Sequence, residues 1–257
     1  MAFQNKLSGA AHAASRRPGL AASIRNLSPT AQFLAVGVVG FPGVMAMGSV
    51  LVGDILPAGV LVGAWFYGLA LAVAVLALRA SYPHPGIGLC NTVTLFRLMF
   101  VSVLLAALIT SGGHPWAVFT LASLALLLDG VDGWLARREG YVSAFGARFD
   151  MEVDSVLALV LALLAYQSGS VGAYVILLGL PRYIFLAAQG VLPWLGGDLP
   201  RRFSRKVVCV LQIGALLLVL MPVIGRPVSD LMVWGAAAAV AWSFWRDLRW
   251  LWLARRS

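Results

Sequence analysis

Acidic residues are scarce in this chain. Ten Asp and Glu stand against nineteen Lys and Arg, and residues of both charges make up only 11% of the 257 positions. That excludes an ordinary soluble domain, in which about 25% of residues are charged. Cysteine is scarcer still: Cys90 and Cys209 are the two present. They are far apart and lack any metal-type or redox spacing, so neither a disulfide framework nor a zinc site is expected, and both read as small apolar packing residues. No internal repeat is apparent, which excludes a solenoid. No basic stripe interleaved with aromatics lies outside the apolar runs, so the net charge of +9 does not point to nucleic acid.

What the chain has instead is apolar length. Apolar residues make up 61% of it and mean hydropathy is +0.89, values of an integral membrane protein. Runs of spanning length read at 31–53, 58–79, 92–111, 114–135, 146–167, 171–191, 207–225 and 229–252. The expected fold is therefore an all-α polytopic membrane protein of about eight spans, with both termini on one side. Placing the N-terminus in the cytoplasm puts Lys6, Arg16, Arg17, Arg25, Arg79, Arg137, Arg138, Arg201, Arg202, Arg205, Lys206, Arg255 and Arg256 on that side and only Arg226 in an outer loop, as the positive-inside rule requires. The excess positive charge then faces anionic lipid headgroups. Residues 1–30 read as a basic cytoplasmic tail, and residues 253–257 as a second, short one. The first apolar run is too long for a signal-peptide core, so cleavage is not expected.

The few acidic residues are not scattered. Six of the ten lie between Asp129 and Asp154, at the ends of two membrane-length segments, where each carboxylate costs about 2.5–3.5 kcal/mol on insertion scales. Helix capping does not explain such a concentration, and cations are needed to neutralise it. Asp129 and Asp132 are three residues apart and Asp150 and Asp154 four, so each pair shares one face of its helix. The segment joining them, Leu135 to Ala147, reads as a short turn between antiparallel helices that makes the two pairs face each other. Two divalent ions would balance four carboxylates charge for charge, and oxygen ligands without Cys or His select magnesium, manganese or calcium over zinc. Gly133 and Gly146 remove bulk where a ligand must approach the backbone, and Arg137 can pair with phosphate. Metal, glycine and arginine together suit a pyrophosphate. Glu152, about 200° around the helix from both Asp150 and Asp154, should point away and meet a basic neighbour or a subunit contact.

Asp129, Asp132, Gly133, Ala136, Arg137, Gly146, Asp150 and Asp154 fill without substitution the pattern D-x-x-D-G-x-x-A-R, eight residues, G-x-x-x-D-x-x-x-D. In this the chain resembles the CDP-alcohol phosphotransferases. Asn91, Thr94 and Arg97, in C-N-T-V-T-L-F-R, look like the Asn, Thr and Arg that open the family's first core helix, although Asn91 could equally cap that helix. The resemblance implies a six-helix core over 89–252, preceded by two accessory helices and a loop over 31–88. Gly59 and Gly63 in those helices suit close packing.

It also implies transfer of a phosphatidyl group from CDP-diacylglycerol to a small polar alcohol, with release of CMP, by a homodimer at the cytoplasmic face of a bacterial inner membrane. Two Mg2+ or Mn2+ ions, with Ca2+ possible, would sit on Asp129, Asp132, Asp150 and Asp154, and Asp154 would be the general base. Asn91, Thr94, Gly133, Ala136, Arg137 and Gly146 would hold the CDP pyrophosphate. Arg182, an intramembrane arginine and so a functional candidate by default, would bind an anionic acceptor together with Arg205 and Lys206. Arg201 and Arg202 of the same cluster are accounted for by topology.

The phrase F-G-A-x-x-D and the run from Ser204 to Gln212 resemble the glycerol 3-phosphate-using branch, whereas Met151 to Ser155 departs from its usual P-V-A-D-K. Glycerol 3-phosphate or another phosphorylated polyol is the leading acceptor. Inositol or serine, transfer from CDP-choline or CDP-ethanolamine to diacylglycerol, and a cation-coupled transporter are the alternatives.

Overall fold

The computed structural model describes residues 27–53, 58–110, 113–197 and 203–254. Arg201, Arg202, residues 1–26 of the N-terminal tail and residues 255–257 of the C-terminal tail lie outside the described residues, and so does the Lys206 side chain.

The described residues form helices joined by short loops, without strands, as the long apolar runs require: lipid offers backbone groups no partner, so each such run must satisfy its own. In chain order the helices are α1 (Pro29–Val52), α2 (Ala58–Ser81), α3 (Gly88–Thr110), α4 (Pro115–Glu139), α5 (Ala144–Gln167), α6 (Ile176–Gly179), α7 (Pro181–Val191), α8 (Phe203–Val219) and α9 (Val228–Ala254). Short 3-10 turns at Ala173–Val175 and Pro193–Gly196 flank the α6–α7 region. Local chemistry sets several ends. Ser28 caps α1, its Oγ accepting from the Ala31 amide at 3.3 Å, and prolines open α1, α4 and α7, where a missing N–H costs nothing.

Five helices, α1–α4 and α9, are long and apolar enough to cross a membrane, and α6 with α7 makes a sixth if the bent pair is one span. Of the remaining expected spans, α5 carries Asp150, Glu152 and Asp154 in its first half, and α8 is only 17 residues long. The expected span 171–191 is not one straight helix. It bends by 64° between Gly179 and Pro181, because Pro181 has no N–H to continue the α6 ladder. Arg182 accordingly stands in the first turn of α7 rather than midway along a straight helix.

Helix α3 is the hub. It packs against α1, α2, α4 and α5, and 61% of its apolar window is buried against 17–39% in the other long spans. Gly59 and Gly63 bring α2 onto α3 so closely that a Cβ would stand 2.6 Å from the Ala106 carbonyl oxygen and 2.5 Å from that of Ser102, respectively. The first two helices are not peripheral to the bundle. Phe33 of α1 is fully buried and meets Phe145 and Phe149 of α5 edge-on, with ring centroids 5.8 and 5.6 Å apart. Gln32 accepts the Ile87 amide at 3.1 Å just before α3 begins. At the opposite end of the bundle, Ser229 of α9 donates to the Ser170 carbonyl at 2.7 Å and Tyr174 to Asp230.

Candidate active site

The turn between α4 and α5 is shorter than Leu135 to Ala147. Helix α4 runs on through Arg137 and Arg138 to Glu139, and only residues 140–143 are non-helical. Gly140 takes the left-handed conformation (φ 74°) that ends α4, and Ser143 Oγ accepts the Gly146 amide at 3.0 Å to start α5. This tight hairpin turns the two aspartate pairs toward each other, and one carboxylate oxygen each of Asp129, Asp132 and Asp150 lies within 4.8 Å of the others.

At the centre stands Arg97 of α3, with its side chain wholly buried. Its guanidinium meets Asp129 at 3.2 Å and Asp132 at 2.8 Å, and pairs with Asp150 and Asp154. Its Nε donates to the Ala125 carbonyl at 3.2 Å, one turn before Asp129. The four carboxylates are therefore not left to metal ions alone: Arg97 supplies one positive charge, so a charge-for-charge balance by two divalent ions does not hold. With all four ionised, three negative charges would remain for metal ions to neutralise.

The donor set fits such ions. Oxygens across one octahedral or larger hard cation lie about 4–5 Å apart, which is the spread of the acidic triad. All its ligand atoms are carboxylate oxygens.

The other motif residues surround the same end. Thr94 donates to Asp132 at 3.1 Å. Asn91 is buried and does not cap α3; its amide donates to the Ile87 carbonyl at 2.6 Å and the Tyr82 hydroxyl at 3.2 Å. The Tyr82 phenol, in the α2–α3 loop, is pushed up to about 12, by burial first and by neighbouring acidic groups after it, and so stays a neutral donor to Gly86 O at 2.8 Å. A Cβ on Gly146 would lie 3.3 Å from Asn91 Oδ1 and 3.1 Å from Ser143 Oγ, so this glycine lets α5 close onto α3. Gly133 is different: a Cβ there would approach only Arg137 Nη1, at 3.6 Å, which leaves room for a ligand. Ala136 is half-buried beside it, and Arg137 is exposed without an ion pair among the described residues.

Beyond Asp150 and Asp154 opens a cavity of about 360 Å³ between α5, α7, α8 and α9. Arg182 and Arg205 line it, together with Gln212, Ser243, Asp247 and Cys209. Cys209 is therefore exposed to the cavity rather than packed. Glu152 points away from the cluster and pairs with Arg182, and Arg205 Nε reaches Asp247 Oδ2 at 2.9 Å. Two polar atoms here are buried without a hydrogen-bond partner, Arg182 Nε and Asp247 Oδ1.

Neither Asp247 nor the central place of Arg97 was legible in the spacing. Arg97 stood out only through its position in C-N-T-V-T-L-F-R. Asp247 carried one signal, a carboxylate well inside an apolar span, whereas Asp230 stands at that span's end.

A partly buried carboxylate cluster of metal-binding geometry beside a cavity that carries a few charged side chains, in an all-helical protein with membrane-length spans, is the setting of a membrane-embedded enzyme site. The sequence profile of the CDP-alcohol phosphatidyltransferases matches residues 87–245, and the chain belongs to that family. It is an enzyme of phospholipid biosynthesis, acting on a CDP-activated alcohol and an alcohol acceptor in the membrane. Two relatives from different strains of Mycobacterium tuberculosis, each described as a probable phosphatidylglycerophosphate synthase, are 31% identical over 159 residues, 59% of this chain and 74% of theirs. No solved structure matches significantly.

Proposed function

We propose that the protein transfers the phosphatidyl group of CDP-diacylglycerol to a phosphorylated polyol, glycerol 3-phosphate before others, and releases CMP. The observation that carries this reading is the cavity against Asp154, where the buried Arg182 Nε has no partner. Glu152 occupies one end of the guanidinium, and the free Nε needs an acceptor, for which an oxyanion is the strongest candidate. Similarity to relatives described as probable phosphatidylglycerophosphate synthases points the same way.

Asp129, Asp132, Asp150 and Asp154 would hold Mg2+ or Mn2+, which when bound neutralise the pyrophosphate and polarise the phosphorus that is attacked. Arg137, Gly133 and Ala136 on α4, with Asn91, Thr94 and Gly146 across from them, receive the CDP pyrophosphate. Asp154 touches both compartments: it pairs with Arg97 and also lines the acceptor cavity. That position suits a base that takes the proton from the acceptor hydroxyl as it attacks. Arg182 and Arg205 hold the acceptor's phosphate; Lys206 is assigned with them from sequence alone.

The acyl tails stay in lipid while the water-soluble acceptor enters at the boundary; the positive-inside bias puts that boundary on the cytoplasmic side, and the family resemblance adds a bacterial inner membrane and a homodimer. The catalytic unit is residues 89–252, with 31–88 as an accessory unit whose Phe33 and Gln32 brace it. Purified protein given CDP-diacylglycerol, Mg2+ and a panel of acceptors tests the reading through CMP release and the mass of the lipid product. Phosphatidylglycerophosphate is expected. A larger kcat/KM for serine or for unphosphorylated inositol would overturn the acceptor assignment.

A further inference from the structure

Asp247 has no part in the metal cluster or the pyrophosphate site, yet it sits in the cavity next to them. It is the buried carboxylate of α9, about nine-tenths shielded, and only one of its oxygens is used. Oδ2 accepts from Arg205 Nε at 2.9 Å, whereas Oδ1 is buried with no donor although the residue lines the cavity. A buried carboxylate oxygen left unsatisfied is strongly unfavourable, so Oδ1 needs a donor that the protein itself does not supply, and a ligand in the adjoining cavity can bring one.

Two kinds of donor are open, a hydroxyl and an ammonium. The Arg205 guanidinium on the same carboxylate decides between them. An ammonium on Oδ1 would be held beside a like charge in a poorly screened cavity, whereas a neutral hydroxyl brings no charge. Arg182 Nε, buried and unpartnered on the neighbouring helix, asks for an anion in the same cavity. One molecule that carries an oxyanion, a reacting hydroxyl and a second hydroxyl satisfies all three groups: Arg182, Asp154 and Asp247.

We propose that Asp247 binds a non-reacting hydroxyl of the acceptor and thereby selects a phosphorylated vicinal diol over acceptors that lack that hydroxyl or carry an ammonium there. This rests on the phosphorylated-polyol reading above and adds the residue that recognises the polyol's second oxygen.

The test compares glycerol 3-phosphate with 3-hydroxypropyl phosphate, which keeps the phosphate and a terminal hydroxyl but lacks the middle one. Hydrogen bonds to a charged group predict that the native protein favours glycerol 3-phosphate by about 10- to 150-fold in kcat/KM. In Asp247→Ala that ratio should collapse to within about 2-fold, with Asp247→Asn in between, while the KM for CDP-diacylglycerol stays unchanged. Any general damage from removing the carboxylate beside Arg205 acts on both acceptors and cancels in the ratio.

Equal use of the two acceptors by the native protein overturns the proposal without any variant, should the variants fail to fold. Persistence of the native ratio in Asp247→Ala overturns it too, while leaving the phosphorylated-polyol reading intact. Turnover with serine and with no phosphorylated polyol removes both.

Discussion

Arg97→Gln tests whether the guanidinium at the centre of the four aspartates holds them together. The Arg97 side chain is fully buried, while those of Asp129, Asp132, Asp150 and Asp154 are 22%, 5%, 36% and 18% exposed. Removing one partner of a buried ion pair costs about 3–5 kcal/mol. The partial exposure of three carboxylates argues for the lower end. Their mutual repulsion argues the other way, because unit charges within 4.8 Å of each other repel by about 3.5 kcal/mol or more at an effective dielectric near 20.

A loss of about 3 kcal/mol corresponds to roughly 6–12 °C in Tm for a protein of this size. The assay is thermal unfolding in detergent with a chelator present, followed by helical circular dichroism. Mg2+ or Mn2+ at about 100 times its Kd should return about 2.7 kcal/mol to the variant. It should raise the native Tm by less, because Arg97 already neutralises part of the cluster. Arg97→Lys should fall between, since one ammonium cannot reach four carboxylates and the Ala125 carbonyl together. A glutamine variant that melts within about 2 °C of the native protein in chelator would refute the reasoning.

Three further outcomes are expected. Asp129→Asn, Asp132→Asn and Asp150→Asn should each abolish CMP release and weaken Mn2+ binding, read by electron paramagnetic resonance, in a protein that remains helical; near-normal turnover in Mg2+ would exclude the metal assignment. Asp154→Asn should lower kcat by about 10²- to 10⁴-fold with a smaller loss of CDP-diacylglycerol affinity, because proton abstraction belongs to the chemical step. Equal loss of nucleotide binding and turnover would count against a base. Arg182→Ala should raise the acceptor KM by about 10- to 150-fold with little change in donor affinity; unaltered acceptor kinetics would leave Arg182 as no more than the partner of Glu152.

Much of the site was legible because the relevant physics is local. Spacings of three and four residues put Asp129 with Asp132 and Asp150 with Asp154 on single helix faces whatever else the chain does. Gly140 and Ser143 then close the hairpin between them through one left-handed residue and one cap. The apolar runs likewise determined an all-helical membrane protein, since a continuous run of about 20 apolar residues satisfies its own backbone groups in lipid as a helix, whereas a barrel needs short alternating strands.

What spacing does not encode is which distant charges meet. Arg97 lies 32 residues or more before the nearest of its four aspartates, Arg205 is 42 residues from Asp247, and Glu152 is 30 from Arg182. The Arg97 pairings exist because α3 is packed at the hub, Arg182 meets Glu152 because α7 starts afresh at Pro181 after a 64° bend, and Arg205 meets Asp247 because α8 packs on α9. Phe33 against Phe145 and Phe149 follows the same logic: apolar surface has no directional preference of its own, so the packing of whole helices chooses its partners. The sequence by itself determined which residues could carry charge in the membrane. The tertiary structure decided which of those charges neutralise one another, and it left Arg182 Nε and Asp247 Oδ1, on residues that line the cavity, without a protein partner.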